Sequence, residues 1–193
     1  LLAEAGLTDC EVTVGYQLSY PEENIRLLTP GQCEEITEEG LYTCLIRNPH
    51  WQSERLTHGR ADTCFLRDAK TPMTKEEVRE VSICKLNLTQ NAVVYDIGSG
   101  TGSVAIEIAG VPGGVQVYAI ERKPEAVELL RKNREHFHMD NIQIIEATAP
   151  EGLEELPVPT HAFIGGSGGR LLDILQTLYR KNPHMRIVIN AIS

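Results

Sequence analysis

The chain has 193 residues, 41% apolar and 23% charged, enough for the core of one domain with part of another beside it. A net charge of −9 argues against a nucleic-acid partner held on a basic surface. The sequence contains no apolar run of the 18 or more residues that a membrane-spanning helix needs.

Residues 1–50 read as a helix end followed by strands around CEVTVGYQL and LYTCLIR, with Pro-, Gly- and Glu-rich turns between them. They carry nine acidic and two basic side chains, whereas residues 51–90 carry six and seven. That step in charge places a boundary near residue 50. Two strands and a helix tail do not close a core, so residues 1–50 are expected to be the C-terminal piece of a preceding domain. The absence of an initiator Met and of a basic leader fits a chain that starts inside a longer protein. Residues 51–70, polar and flanked by Pro49 and Pro72, read as a linker.

A second domain is expected over residues 71–193. Thr74-Lys75-Glu76-Glu77 has the pattern of a capping box, with Thr74 as N-cap. Val78, Val81, Ile83 and Leu86 follow at helical spacing. Strand AVVYDI, helix SVAIEIAG, strand VQVYAI and a helix opening at Pro124 come next, then strand IQIIEA and a short helix after Pro150. Strand HAFIGG, helix LLDILQTLYRK and strand MRIVINAI complete the series. Strands that are apolar throughout and alternate with helices predict an α/β fold, a Rossmann-like doubly wound parallel sheet. Such sheets commonly have more strands, so truncation after the fifth is expected.

The chemistry concentrates at VVYDIGSGTGS, residues 93–103. A buried strand ends at Asp96, and Gly98, Gly100 and Gly102 lead into a helix. Glycines there let the backbone turn sharply and approach a ligand, and the free N–H groups of the helix start suit an anionic one. A dinucleotide fingerprint requires Gly at position 103, where this chain has Ser103. An acid followed by x-G-x-G-x-G resembles motif I of the S-adenosylmethionine-dependent methyltransferases. Glu121 ends the next strand, where a carboxylate can accept from both ribose hydroxyls; NAD enzymes share that feature, so a dehydrogenase stays open as an alternative.

The segments TPMTKEEVR, VVYDIGSGTGSVAIEIA, YAIERKPEAV, FIGGSGGRL and IVINAI, in that order, resemble the decarboxylating precorrin methyltransferases of cobalamin biosynthesis. GYQLSYPEENI and LIRNP, in residues 1–50, resemble the tail of the partner tetrapyrrole methyltransferase acting at carbon 5, which is fused to the first enzyme in some organisms. The resemblance implies S-adenosylmethionine as cofactor, a precorrin as substrate, methylation at carbon 15 and loss of CO2 from the ring C acetate. It implies cofactor contacts at Thr74, Asp96, Gly98, Ser99, Gly100, Thr101, Gly102, Glu121, Thr148 and Ala149. Thr148 stands where the family usually has Asp, which removes charge assistance toward the adenine amino group.

Gly165, Gly166, Ser167 and Gly168 follow the fourth strand in place of an amine-gripping motif, leaving room for a large flat substrate and offering N–H donors to carboxylates. Asn190 ends the fifth strand at the same sheet edge. Arg67 and Arg79, in the least acidic stretch, read either as a solvated helix face or as a cationic rim for a polycarboxylate. The odd set Cys10, Cys33, Cys44, Cys64 and Cys84, without CxxC, reads as reduced thiols in a cytoplasmic protein. No metal site is expected, and a homo-oligomer is. A methyltransferase for another small molecule and a non-catalytic interaction module are the remaining alternatives.

Overall fold

Alternation of inward and outward side chains decides both sheets of this protein. The computed structural model describes residues 8–49 and 58–191, in two units, Leu1–Glu54 and Arg55–Ser193. In the first unit β1 (Glu11–Tyr16), β2 (Asn24–Leu28) and β3 (Tyr42–Arg47) pair antiparallel in the order β2-β1-β3. Val12 and Val14 of the central strand are buried. Ile25 and Leu27 on β2 and Leu45 on β3 are exposed. The helix end expected before β1 falls on residues 1–7, outside the described residues. β2 adds a strand to the two expected.

The second unit starts with α1 (Glu76–Leu86) and continues through β4 (Val93–Ile97), α2 (Ser103–Ala109), β5 (Gln116–Glu121) and α3 (Pro124–His136). β6 (Ile142–Glu146), β7 (His161–Ile164), α4 (Leu171–Lys181) and β8 (Arg186–Ile189) follow. All five strands are parallel in the order β6-β5-β4-β7-β8, the doubly wound sheet that the sequence predicts. Val94, Val117, Ala119 and Phe163 face a core layer shared with Ile83, Ile106 and Leu130 of α1, α2 and α3. Their neighbours Tyr95, Ile97, Tyr118, Ile120 and Ile164 face the other layer, closed by Ile174 and Leu178 of α4. All seven residues of α2 are buried, Glu107 among them, in a segment otherwise made of small and apolar side chains.

Three local expectations are corrected. Of the stretch read as a linker, residues 51–57 lie outside the described residues and 58–70 belong to the second unit. Phe65 is buried in its core, and buried Glu107 on α2 binds the backbone N–H and guanidinium of Arg60 at 2.6 and 3.0 Å. α1 is capped by Lys75 without a side-chain bond, not by Thr74, whose carbonyl instead accepts from Arg79 Nη1 at 2.7 Å. After Pro150 the chain makes turns rather than a helix, because Gly152 at φ +82° takes the left-handed conformation that ends one.

Candidate functional site

The strand order reverses beside β4: the chain moves from β4 through β5 to β6 on one side, then returns to β7 and β8 on the other. Loops leaving the carboxyl ends of β4 and β7 therefore part and leave a crevice, the place where open α/β sheets bind ligands. The β4 loop is the glycine segment. Gly98, Gly100 and Gly102 take φ of +74°, +57° and +80°. A Cβ on Gly98 would lie 2.5 Å from the Gly166 carbonyl oxygen, and one on Gly100 would lie 2.6 Å from that of Pro72. Glycine is thus required twice over, by conformation and by the approach of other backbone.

Acids hold this loop from below and from the side. Asp96 is buried, and its Oδ2 accepts from Ser99 Oγ at 2.6 Å and from the Ala105 N–H at 3.1 Å. Burial pushes its pKa up to about 7; the charge of Glu121 adds to this, and the two hydrogen bonds oppose it. Its Oδ1 is buried with no partner. Glu121 is 8% exposed, and its Oε2 accepts from the Gly100 N–H at 2.9 Å. Its Oε1 accepts from the N–H groups of Arg122 and Lys123 at 2.9 and 3.0 Å. One carboxylate thus ties the end of β5 to the tip of the β4 loop.

These elements enclose a cavity of about 240 Å³. A strap of Pro72, Met73 and Thr74 forms one side, with Gly98, Ser99 and Gly100 beside it. Glu121, Arg122 and Lys123 line the β5 end, and Thr148 and Ala149 the β6 end. Gly165 to Gly168 and Asn190 close the side of β7 and β8. Twelve of the seventeen residues singled out from the sequence therefore line one cavity. Asp96, Thr101 and Gly102 lie beneath it instead: Asp96 and Thr101 are buried, and Gly102 is the N-cap of α2.

Arg67 and Arg79 are not brought there. Arg67 is exposed and outside the lining. Arg79 is 0% exposed, ion-paired with Asp62 at 3.1 Å and Glu107 at 3.5 Å, with its guanidinium 4.7 Å from the Phe65 ring centroid. A buried acid on α2 claims this arginine for the core, since an unpaired Glu107 there would be costly. The cations at the cavity are Arg122 and Lys123, to which the sequence assigns no role. Among the described residues no group of His, Cys, Asp and Glu is placed to hold a metal ion, and all five cysteines are free thiols.

Residues 63–193 match the family model of the precorrin methyltransferase domain. The chain belongs to that family. A Sulfolobus acidocaldarius protein named "Probable cobalt-precorrin-6B C(15)-methyltransferase (decarboxylating)" is 46% identical over 127 residues. That alignment covers 64% of this chain and 65% of the relative, so the chain spans about two thirds of its length. The crystal structure of a precorrin-6y C5,15-methyltransferase from Geobacter metallireducens superposes with a TM-score of 0.68 at 38% identity, covering 73% of this chain and 75% of that one. The C-terminal domain of the Rhodobacter capsulatus precorrin-6Y C5,15-methyltransferase gives a TM-score of 0.65 at 29% identity, over 72% and 73% of the two chains. Membership of a methyltransferase domain family sets the dehydrogenase alternative aside. Among the described residues no helix of this precorrin methyltransferase domain, or of the unit before it, is long and apolar enough to cross a membrane.

Proposed function

We propose that the chain is an S-adenosylmethionine-dependent methyltransferase that adds a methyl group at carbon 15 of a precorrin-6B-type tetrapyrrole and releases CO2 from the ring C acetate. The observation that carries this reading is the meeting of Gly98 to Gly100, Glu121, Thr148 and Ala149 with Gly165 to Gly168 around one cavity at the switch point of the sheet. The donor set suits the cofactor. Glu121 keeps one of its about four acceptor sites, on Oε2, for a ribose hydroxyl beyond those used by Gly100, Arg122 and Lys123. Thr148 and Ala149 offer small polar and apolar contacts at the adenine end, and the glycine loop leaves space for the methionine end. When bound, the cofactor supplies a methyl group already activated on a cationic sulfonium.

The chain's own part is positioning and exclusion of water. The glycine walls of the β4 and β7 loops let a flat macrocycle approach closely, and the Pro72–Thr74 strap shuts one side. A methyl donor and an electron-rich ring carbon held about 3–3.5 Å apart need no strong base from the protein. Release of CO2 breaks the bond to the acetate methylene, and the electron pair passes into the conjugated ring.

The reading of residues 1–50 as the tail of a carbon-5 methyltransferase domain belongs to the same proposal. The separate unit Leu1–Glu54 supports it, as does the similarity of the second unit to the C-terminal domain of a C5,15-methyltransferase. Calorimetry on the full chain is expected to detect S-adenosylmethionine binding, weakened in Glu121→Gln by about 1–3 kcal/mol. Mass spectrometry of a cobalt-precorrin-6B reaction should show one methyl gained and one CO2 lost. Methyl gain without CO2 loss reduces the protein to a simple methyltransferase, and no gain on any tetrapyrrole removes the reading.

A further inference from the structure

We infer that Arg122 is the specificity residue that grips a carboxylate of the substrate at the mouth of the cavity. The inference rests on the methyltransferase reading and extends it to a residue to which neither motif nor resemblance assigns a role. The backbone N–H of Arg122 is fixed by Glu121, so the residue starts at the acid that borders the cofactor space. Its side chain lines the cavity and ends beside the β7 loop: a Cβ on Gly168 would lie 3.5 Å from its Nη1 and 3.7 Å from its Cζ. β5 and β7 flank β4 on opposite sides, so the side chain reaches from the end of β5 to the loop that follows β7. It therefore passes over the mouth, from the ribose end to the glycine wall.

The guanidinium there is unclaimed. Among the described residues Arg122 has no side-chain hydrogen bond and no ion pair, although the chain carries 27 acids against 18 basic residues. Other arginines of this unit are engaged: Arg60 and Arg79 with Glu107, Arg170 with Glu151 and Arg180 with Glu154. Gly165, Gly166 and Gly168 opposite present no side chain to compete for it. An exposed, unpaired planar cation facing backbone donors across a cleft suits a carboxylate, which it can hold through two parallel hydrogen bonds.

The relatives' names call them decarboxylating, so their substrate bears a carboxylate that leaves. Arg122 holds a different one. Pairing with the departing group would stabilise the charge that disappears as neutral CO2 forms and so raise the barrier. A carboxylate that stays keeps its pairing through the reaction, and the interaction then serves binding and orientation.

The test is steady-state methyl transfer to cobalt-precorrin-6B by the full chain, with S-adenosylmethionine affinity measured separately. Arg122→Gln should raise the KM for the tetrapyrrole about 10- to 100-fold. Cofactor Kd should stay within about twofold, and Arg122→Lys should recover part of the loss. The rise of KM with added KCl should flatten in Arg122→Gln, because the screened charge is gone. Arg67→Gln, on an exposed cation outside the cavity, should leave the KM unchanged. An unchanged KM in Arg122→Gln overturns the inference while the methyltransferase reading stands. An equal loss in cofactor affinity also overturns it, because Arg122 then packs on the cofactor. A wild-type chain that binds no S-adenosylmethionine and methylates no tetrapyrrole overturns both.

Discussion

Gly98 and Gly166 face each other across the crevice, and adding one methyl group to each should give opposite results. A Cβ on Gly98 would lie 2.5, 2.7 and 2.8 Å from the O, N and Cα of Gly166, all of them backbone atoms. Ordinary contact begins near 3.4 Å, so the two loops would have to part by most of an ångström. Neither loop is free to move: the N–H groups of Gly165 and Gly166 bond to Ile97 O at 2.9 and 3.3 Å, and the Gly98 N–H bonds to Ile120 O at 2.9 Å. The φ of +74° adds the left-handed penalty for an L-residue, about 1–2 kcal/mol. Overpacking against a fixed neighbour adds about 1–3 kcal/mol. Gly98→Ala should therefore lose about 2–5 kcal/mol of stability and, in the fraction that folds, bind S-adenosylmethionine poorly. A Cβ on Gly166 meets nothing nearer than Gly98 Cα at 3.9 Å, an ordinary contact. Gly166→Ala should stay within about 1 kcal/mol of wild type. Urea unfolding followed by circular dichroism reads both, with equal m-values confirming that the unfolding surface is unchanged. Equal losses in the two variants, or a larger one in Gly166→Ala, would refute the close approach of the two loops.

Two further outcomes follow from buried charge. Folding raises the Asp96 pKa to about 7, so between about pH 4 and pH 7 the folded chain keeps a proton that the unfolded chain releases, and stability falls as pH rises through that window. Asp96→Asn should flatten this fall in urea midpoints measured across the window, and an unchanged slope would place the titration elsewhere. Arg79→Met leaves Glu107 buried with Arg60 as its remaining ion-pair partner and should cost about 3–5 kcal/mol. Arg67→Met should cost less than about 0.5 kcal/mol, and equal unfolding midpoints for the two would show that Arg79 is not a core residue.

What the sequence made legible was local. Val94, Tyr95 and Ile97 alternate between the two core layers, and a run apolar on both faces is readable without knowing its neighbours. The glycine loop was readable for the same reason, since its three left-handed turns are a property of the segment itself. β2 was not: NIRLL is an edge strand with Ile25 and Leu27 exposed, so neither burial nor alternation marks it, and only pairing with β1 makes it a strand. Arg79 was misplaced as a rim residue because its partner Glu107 lies 28 positions along the chain. Arg122 went unnoticed because its proximity to Gly168 spans three strands of the sheet.

One physical cause places both of these cations. Charge along a chain shows where cations are available, and burial elsewhere decides which of them are consumed. Glu107 sits on a helix with every residue buried, so it draws Arg60 and Arg79 inward and removes them from any substrate. The same pairing still serves the site. Arg79 donates to the Thr74 carbonyl at 2.7 Å, and Thr74 ends the strap whose Pro72 carbonyl rests against Gly100. Arg79, on α1, therefore fixes the wall of the cavity, while Arg122, an exposed cation left for a substrate, stands across the sheet at the end of β5.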